Sequence, residues 1–337
     1  MPLITAPVIP PDPGDPGGPE VPGGGGTPIP LPGVGNATAF YTDPAGTVWP
    51  LSESAAGWFT LAAGVSGLGA AAYTLTSDAQ PRGGARLRHA QPQPRTIIWP
   101  LYVYGDTHLQ YLERWRQLAT AFTRTLRRGR DGRRTPGTLT IVRPDGTSRS
   151  VKVFYSAGFE GQGKAGSGII SDAVALALWC EDPYWTDGEA VTVHRENGAL
   201  VDFLDPYPSV SSSQVLGETV VDNPGDAVVW PTWTITGPAS LITFTNEDTG
   251  DSFALDPAAV GHGALAAGEQ VTVRTDPGQV RFQDGSPDGV NWAGALDWPE
   301  AVLWGLEPGE NLVTFQLDGS GPGSAVDLTF HARHETA

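Results

Sequence analysis

One stretch of the sequence, residues 171–185 (SDAVALALWCEDPYW), constrains the fold more than any other. If its first ten residues form a β-strand, alternate side chains point to opposite faces of a sheet, and both sets are apolar. One face would hold Val174, Leu176, Leu178 and Cys180, and the other Ala173, Ala175, Ala177 and Trp179. We therefore expect this strand to be covered on both sides, by a helix on one and by a second sheet or a neighbouring subunit on the other.

The strand must end where the sequence changes character. Pro183 has no backbone N–H to give to a sheet, and it restricts Asp182 to extended geometry. Tyr184 and Trp185 follow as aromatic anchors. Together with Trp179, these two aromatic residues are candidate contacts with a partner protein.

We expect two domains, a first over residues 37–185 and a second over residues 186–337. Residues 1–36 are rich in Pro and Gly and poor in large side chains, so they cannot bury enough apolar area to fold alone. Our hypothesis is that they form an extended arm that lies on a partner or a neighbouring subunit.

Composition favours turn-rich β structure, because 44 Gly and 31 Pro are spread between short apolar runs. A single cysteine, Cys180, excludes an intramolecular disulfide and a cysteine-rich zinc site. Its apolar surroundings favour a buried structural thiol. No apolar run reaches the ~20 residues that cross a bilayer, and the N-terminus has no secretion signal. We expect a protein made in the cytoplasm, with no membrane insertion.

The net charge of -17 is distributed unevenly. Residues 37–180 contain 16 basic and 9 acidic residues, whereas residues 181–337 contain 4 basic and 25 acidic residues. The acidic half is a poor candidate for binding nucleic acid.

The first domain is predicted to be a small sheet or split barrel that carries one helix. Hairpins are expected around the turns 43–46 and 144–147, which contain Asp, Pro and Gly. A strand is expected over residues 96–104, where Pro100 indicates a sheet edge or a bulge. The helix is predicted over residues 106–128.

Asp106 is placed to cap this helix, and Gly129 to end it. Its apolar stripe is predicted at Leu109, Leu112, Trp115, Ala119, Phe122 and Leu126.

A strongly basic run follows the helix, comprising Arg127, Arg128, Arg130, Arg133 and Arg134. It is a candidate docking surface for an acidic partner. A solvated loop and a nucleic-acid contact are the alternatives, although no aromatic side chains are interleaved for stacking on bases.

The second domain is predicted to be a β-sandwich of the jelly-roll or galectin-like kind, because short strands alternate with turns about every ten residues. Acidic residues near two tryptophans, Trp292 and Trp298, suggest a sugar site or a carboxylate pair. The acidic residues are Asp284, Asp288, Asp297 and Glu300. However, Asp284 and Asp288 lie in a Gly/Pro context where Asp forms turns. We therefore predict no catalytic residues, no cofactor and no metal site.

Several motifs, taken in order, resemble the distal tail proteins of phages with long non-contractile tails. The resemblance covers about 300 residues, from Ala37 to the end, and no single motif is diagnostic. In the first half the motifs are Trp49-Pro50-Leu51, Ser66-Gly67-Leu68-Gly69, Pro94-Arg95-Thr96-Ile97, Arg143-Pro144-Asp145-Gly146 and Glu181-Asp182-Pro183-Tyr184-Trp185. In the second half they include Asn223-Pro224-Gly225-Asp226, Ile235-Thr236-Gly237-Pro238 and Leu306-Glu307-Pro308-Gly309-Glu310-Asn311.

The resemblance implies a structural virion protein at the tip of the tail. Its first domain would form a ring, hexameric in such proteins, that joins the tail tube protein to the hub and fibre proteins, with the tape measure protein as a further partner. DNA would pass through the lumen without sequence-specific binding. Two rivals remain open, namely a carbohydrate-binding adhesin that uses Trp292 or Trp298 and a cell-surface hydrolase.

Overall fold

The computed structural model describes residues 37–61, 63–161, 169–197 and 214–337. The predicted arm, residues 1–36, lies outside the described residues. The chain divides into two compact units. The first unit ends at Pro183 and also includes Thr336 and Ala337, and the second spans Tyr184–Glu335.

The first unit is built on one antiparallel sheet that curves into a half-barrel. Its strands run in the order β2-β1-β7-β8-β9-β6-β3, and a separate two-stranded ribbon is formed by β4 and β5. The elements are β1 Thr38–Thr42, β2 Val48–Pro50, β3 Trp58–Thr60, β4 Tyr73–Ala79, β5 Ala85–Pro92, β6 Arg95–Tyr104, α1 His108–Thr123, β7 Gly137–Val142, β8 Ser148–Ala157 and β9 Ser171–Cys180. Short 3-10 turns occupy Ser54–Ala56 and Arg124–Leu126.

Both predicted hairpins of this unit are present, because local turn chemistry fixes them. Asp43 accepts hydrogen bonds from the backbone N–H groups of Ala45 and Thr47, at 2.8 and 3.1 Å. Asp145 binds the backbone N–H of Thr147 at 2.9 Å in the turn between β7 and β8. Asx turns of this kind set the register of the flanking strands.

The helix is shorter than predicted and is capped by a different residue. The Thr107 side chain accepts a hydrogen bond from the Gln110 N–H, so Thr107 and not Asp106 is the N-cap. The α-helix ends at Thr123 rather than reaching residue 128. A 3-10 turn follows it, in which Arg127 donates its N–H to the Arg124 carbonyl.

The buried side of the helix is also rotated from the predicted stripe. Its buried residues are Tyr111, Leu118, Ala121 and Phe122. Of the predicted stripe, Leu109 is 77% exposed and Leu126 is also exposed. Phe122 belongs to both the predicted stripe and the observed buried set, and Tyr111 and Ala121 are buried in addition. The Phe122 ring stacks on Tyr41, with 4.2 Å between the ring centroids.

Within the described chain, one of the two predicted covers of β9 is present. Val174, Leu176, Leu178 and Cys180 of β9 are buried in the core of the half-barrel. The opposite side chains are not covered by the described chain, since Ala173, Ala175 and Trp179 are exposed. The helix α1 packs against β6 and β8 on the buried side.

Pro100 lies inside the sheet rather than at its edge. It pairs with Ala175 of β9 in a register that continues without a bulge from Arg95 to Tyr104. The Pro100 carbonyl accepts the Leu61 N–H on the other side, just beyond the end of β3. In an antiparallel sheet the backbone N and carbonyl of one residue point to the same neighbouring strand. The N–H that Pro100 lacks would therefore point toward the β3 side, at a position where β3 has already ended, so no hydrogen bond between strands is lost.

The second unit is a β-sandwich, as predicted. Its two sheets have the orders β11-β20-β13-β16-β17-β18 and β12-β19-β14-β15. The strands are β10 Trp185–Asp187, β11 Val191–Glu196, β12 Gln214–Asn223, β13 Thr232–Thr236, β14 Leu241–Asn246, β15 Ser252–Leu255, β16 Gln270–Arg274, β17 Gln279–Phe282, β18 Val290–Asn291, β19 Gly309–Asp318, β20 Ala325–Phe330 and β21 Arg333–His334. Short 3-10 turns occupy Pro257–Val260 and Ala293–Ala295. Residues 300–304 form no helix or strand.

An aromatic cluster joins the two sheets of the sandwich. Trp233 of β13 stacks on Phe244 of β14 at 4.4 Å. Three further rings meet Trp233 edge-on, those of Phe253, Trp304 and Phe315. Aromatic side chains bury large apolar areas, so this cluster accounts for much of the core.

Replacing Asp43 by Ala should lower the free energy of unfolding by about 2–3 kcal/mol, because hydrogen bonds and ion pairs to a buried carboxylate are lost together. Asp43 is buried and pairs with Arg124 at 2.7 Å. Urea unfolding followed by tryptophan fluorescence measures the change. The matched control is Asp145→Ala in the corresponding exposed turn, which should lose much less. Equal losses in the two variants would contradict this role for Asp43.

Candidate functional site

Two of the four acidic residues that suggested catalysis, Asp284 and Asp297, form hydrogen bonds that hold nearby backbone in place. Asp284 accepts hydrogen bonds from the backbone N–H and the hydroxyl of Ser286, at 3.0 and 2.5 Å. These bonds hold the pKa of Asp284 below its usual range. A general acid for glycoside hydrolysis needs a raised pKa, so Asp284 is unsuited to that task. Asp297 accepts the Ala254 N–H at 2.8 Å, which fixes a loop.

Metal binding has little support in the part of the chain that is described. Among these residues, no group of three or more His, Cys, Asp or Glu side chains is arranged to hold a metal ion. Likewise, no helix in the described ranges is long and apolar enough to cross a membrane.

The structure separates the two tryptophans proposed to contact a glycan. Trp292 is buried and stacks on Phe282 at 4.4 Å, with the His262 ring at 4.9 Å. Its ring is therefore unavailable to a sugar, and the interpretation of Trp292 as a glycan contact is wrong. Trp298 is 56% exposed, and its indole N–H donates to the Ala293 carbonyl. Trp298 keeps an exposed ring, but Trp292, the other tryptophan of the predicted pair, is buried and does not join it at the surface.

The five arginines after the helix are gathered in one exposed loop, residues 127–134. Backbone bonds shape the loop, since the Gly129 N–H donates to the Arg133 carbonyl at 2.7 Å. The Arg134 Nε donates to the Leu126 carbonyl at 3.1 Å, and Asp131 accepts the Arg133 N–H. The loop thus presents several guanidinium groups on a short, folded segment, which suits either solvent or an acidic surface.

The three predicted aromatic contacts do not form one site. Trp179 belongs to the first unit, is 39% exposed and lies 6.2 Å from the Phe154 ring. Trp185 is fully buried in the second unit, so it is not a surface contact, which corrects its assignment as a partner residue. Tyr184 is half-buried, with the Arg333 guanidinium 4.6 Å from its ring centroid.

Trp179 is part of a larger apolar surface on the outer side of the half-barrel, which we term the outer face. It comprises the outward side chains of β9 and β6 with aromatic neighbours on β8 and β3. On β9 these are Ala173, Ala175, Ala177 and Trp179, and on β6 they are Ile98, Pro100, Tyr102 and Tyr104. Phe154 of β8 and Phe59 of β3 extend it at either side.

The outward side chains of β7 provide a contrast within the same sheet. Thr138, Thr140 and Val142 occupy the outward positions there, and two of these three side chains are polar. A contiguous apolar surface such as the outer face is a candidate interaction site in a folded protein.

The ribbon formed by β4 and β5 has one apolar face and one polar face. Directly opposed residues share a face, and one face holds Leu75 opposite Ala90 and Ser77 opposite Leu87. Leu75 is 63% and Leu87 is 55% exposed. The other face is polar, with Thr74 opposite Gln91, Thr76 opposite His89 and Asp78 opposite Arg86. The alternation of Leu and Ala with Arg and His in residues 85–90 is the signal that could have revealed β5.

The outer surface of the sandwich holds a titratable pair. His194 of β11 lies opposite Asp327 of β20, with 2.6 Å between Nδ1 and Oδ1. Glu196 lies farther away, 3.8 Å from Nε2. The hydrogen bond with Asp327 raises the pKa of His194 above its usual range.

Comparison with known proteins gives matches in fold only. No known family model matches the chain, and no curated protein sequence matches it. SPP1 Dit, described as a paradigm of the hub adsorption apparatus in phages that infect Gram-positive bacteria, superposes with a TM-score of 0.59 at 16% identity. The match covers 88% of this chain and 98% of that chain.

Chains of the phage P2 baseplate in its activated conformation match as well. The form with Ca has a TM-score of 0.51 at 9% identity, covering 89% of this chain and 99% of that chain. The form with Sr has a TM-score of 0.52 at 9% identity, covering 90% and 100%. At these identities the likeness establishes a shared fold, and it confirms the predicted fold class.

The raised pKa of His194 makes a pH-dependent contribution to stability. The contribution is fully present below the pKa of the unfolded chain, where His194 is protonated in both states, and it is lost as the pH rises through the higher folded pKa. Asp327→Asn should move the pKa of His194 back toward its usual value and weaken that pH dependence. NMR titration of the imidazole signals measures it. The control Glu196→Gln should change the pKa of His194 less than Asp327→Asn does. A larger change in Glu196→Gln than in Asp327→Asn would refute Asp327 as the main partner of His194.

Proposed function

We propose that this protein is a structural component of a phage tail tip, a distal tail protein whose copies form a ring. The observation that carries the proposal is the length of the fold match. Both units, in the same order, match 98% of SPP1 Dit and at least 99% of the two baseplate chains. A match of that extent supports a common architectural role rather than the reuse of one small domain.

The geometry of the first unit supports assembly. A monomer in water would not keep the Ala and aromatic side chains of the outer face uncovered, whereas a neighbouring subunit would bury them. A contact between different surfaces of identical copies is heterologous, and it closes into a ring when the rotation permits. We infer a ring of six copies, in keeping with the resemblance seen in the sequence.

In the virion the ring would join the tail tube protein to the hub and fibre proteins, next to the tape measure protein. DNA would leave through its lumen without sequence-specific contacts. The basic loop of residues 127–134 is a docking surface for an acidic neighbour in the tail tip.

The proposal assigns no chemical step to the chain. The candidate carboxylate Asp284 is held in its ionised form by a turn, and the thiol of Cys180 is buried, which raises its pKa to about 12. A thiol with so high a pKa is a poor nucleophile. The chain instead provides two rigid units and surfaces for assembly.

Gel filtration with light scattering tests the ring. The 35.4 kDa chain should give a species near six times that mass, and negative-stain micrographs should show closed rings. Smaller closed rings would correct the number of copies and keep the architecture. A strict monomer at high concentration, also in the presence of the purified tail tube protein, would contradict the proposal.

A further inference from the structure

We propose that the apolar face of the ribbon β4–β5 of one copy packs on the outer face of β9 and β6 of a neighbouring copy. The inference rests on the proposed ring and deepens it, because it names the two surfaces that meet. Both surfaces lie on the first unit, and each keeps exposed apolar side chains in the described chain.

The ribbon cannot depend on its own two strands for stability. An isolated two-stranded hairpin is marginally stable in water, and this one keeps Leu75 and Leu87 in solvent. Its polar face, by contrast, is suited to water, and Arg88 pairs with Asp78 there. The asymmetry between the faces determines which of them meets a partner.

The base of the ribbon is fixed where it leaves the half-barrel. Arg95 is buried, and its guanidinium donates to the carbonyls of Gly67 and Gly69, at 3.0 and 2.7 Å. Gly67 has a φ of 85°, and a side chain there would collide with the Thr96 carbonyl. The Gln93 N–H donates to the Ala72 carbonyl at 2.8 Å and closes the base. The ribbon is therefore a directed projection rather than a loose loop.

The sheet of the same copy is not the surface that the ribbon covers. Every residue of β4, and every residue of β5 except Pro92, is exposed. Docking of the ribbon on its own half-barrel would bury Leu75 and Leu87. No described residue of the same copy covers the apolar face of the ribbon, and a second copy of this chain carries a suitable complementary surface.

The outer face fits the ribbon in shape. Ala173, Ala175 and Ala177 form a row of small side chains along β9. Two sheets that pack face to face lie ~10 Å apart, so large side chains on one require small ones on the other. Leu75 and Leu87 are the large side chains and the alanines the small ones. With ~3.3 Å per residue, β4 is roughly 23 Å long and fits within the roughly 33 Å of β9.

In this arrangement each copy gives one ribbon and receives one, so no copy is left unsatisfied only when the assembly closes on itself. A reciprocal two-fold dimer and a ring both meet that condition, whereas an open chain of copies leaves one ribbon and one outer face exposed. The ring is the closed form that agrees with the proposed function.

Charge substitutions on the two faces of the ribbon separate this contact from folding. Leu75→Asp with Leu87→Asp should convert the ring to monomers in light scattering, because the carboxylates would be buried unpaired. Thr76→Asp introduces the same charge one residue away on the polar face, and it should leave the ring intact. The urea midpoint of the monomeric double variant should match that of a wild-type sample diluted to monomers. Rings that persist in the double variant would overturn the inference.

A photo-crosslinking residue at position 87 identifies the surface that is touched. Crosslinks between copies that map to β9 or β6 support the inference, and a crosslinker at position 76 should give none. Crosslinks to the groove beside α1, where Leu109 is exposed, or within one copy would overturn the inference and leave the ring proposal standing. A wild-type chain that forms no oligomer would refute the ring itself.

Discussion

A β-sheet has two faces, and a small domain with a single helix can cover only one of them. In the first unit the half-barrel encloses one face around Trp99, Leu176 and Val153, and α1 closes it with Phe122. The other face is mainly polar along β7 but apolar along β9 and β6. The remaining features of this unit, from the projecting ribbon to the proposed ring, follow from that uncovered apolar surface.

Magnitudes indicate why the ribbon alone does not suffice for assembly. Burying Leu75 and Leu87 yields about 1.5–3 kcal/mol each. Association costs roughly 4–15 kcal/mol in lost translational and rotational freedom. Two leucines therefore do not hold a pair of copies together, and the aromatic residues around the alanine row must be buried too. Ring closure stabilises the assembly further. The last contact forms between two copies that are already held in the same assembly, so it does not require two free copies to meet.

Local chemistry explains which parts could be predicted from the sequence. The turns at Asp43 and Asp145 and the strand before Pro183 depend on neighbouring residues, so the sequence pattern predicts them. The buried side of the helix is rotated from the predicted stripe because Tyr111 is buried and Leu109 is exposed. Packing of α1 on the half-barrel, as of Phe122 on Tyr41, sets that rotation and involves residues far apart in the sequence. The exposure of Trp292 and Trp298 depends on contacts with distant residues such as Phe282. Apolar side chains on both faces of β9 indicated two covers, but the sequence does not say which molecule supplies the second.

The most direct test of the central claim is a cryo-EM reconstruction of the assembled protein, refined to a resolution at which strands separate. The account predicts that Ala175 of each copy lies beneath a two-stranded ribbon donated by its neighbour, with Leu87 in contact and Thr76 toward solvent. A closed ring in which the outer face of β9 and β6 stays open to solvent or to the lumen would contradict it.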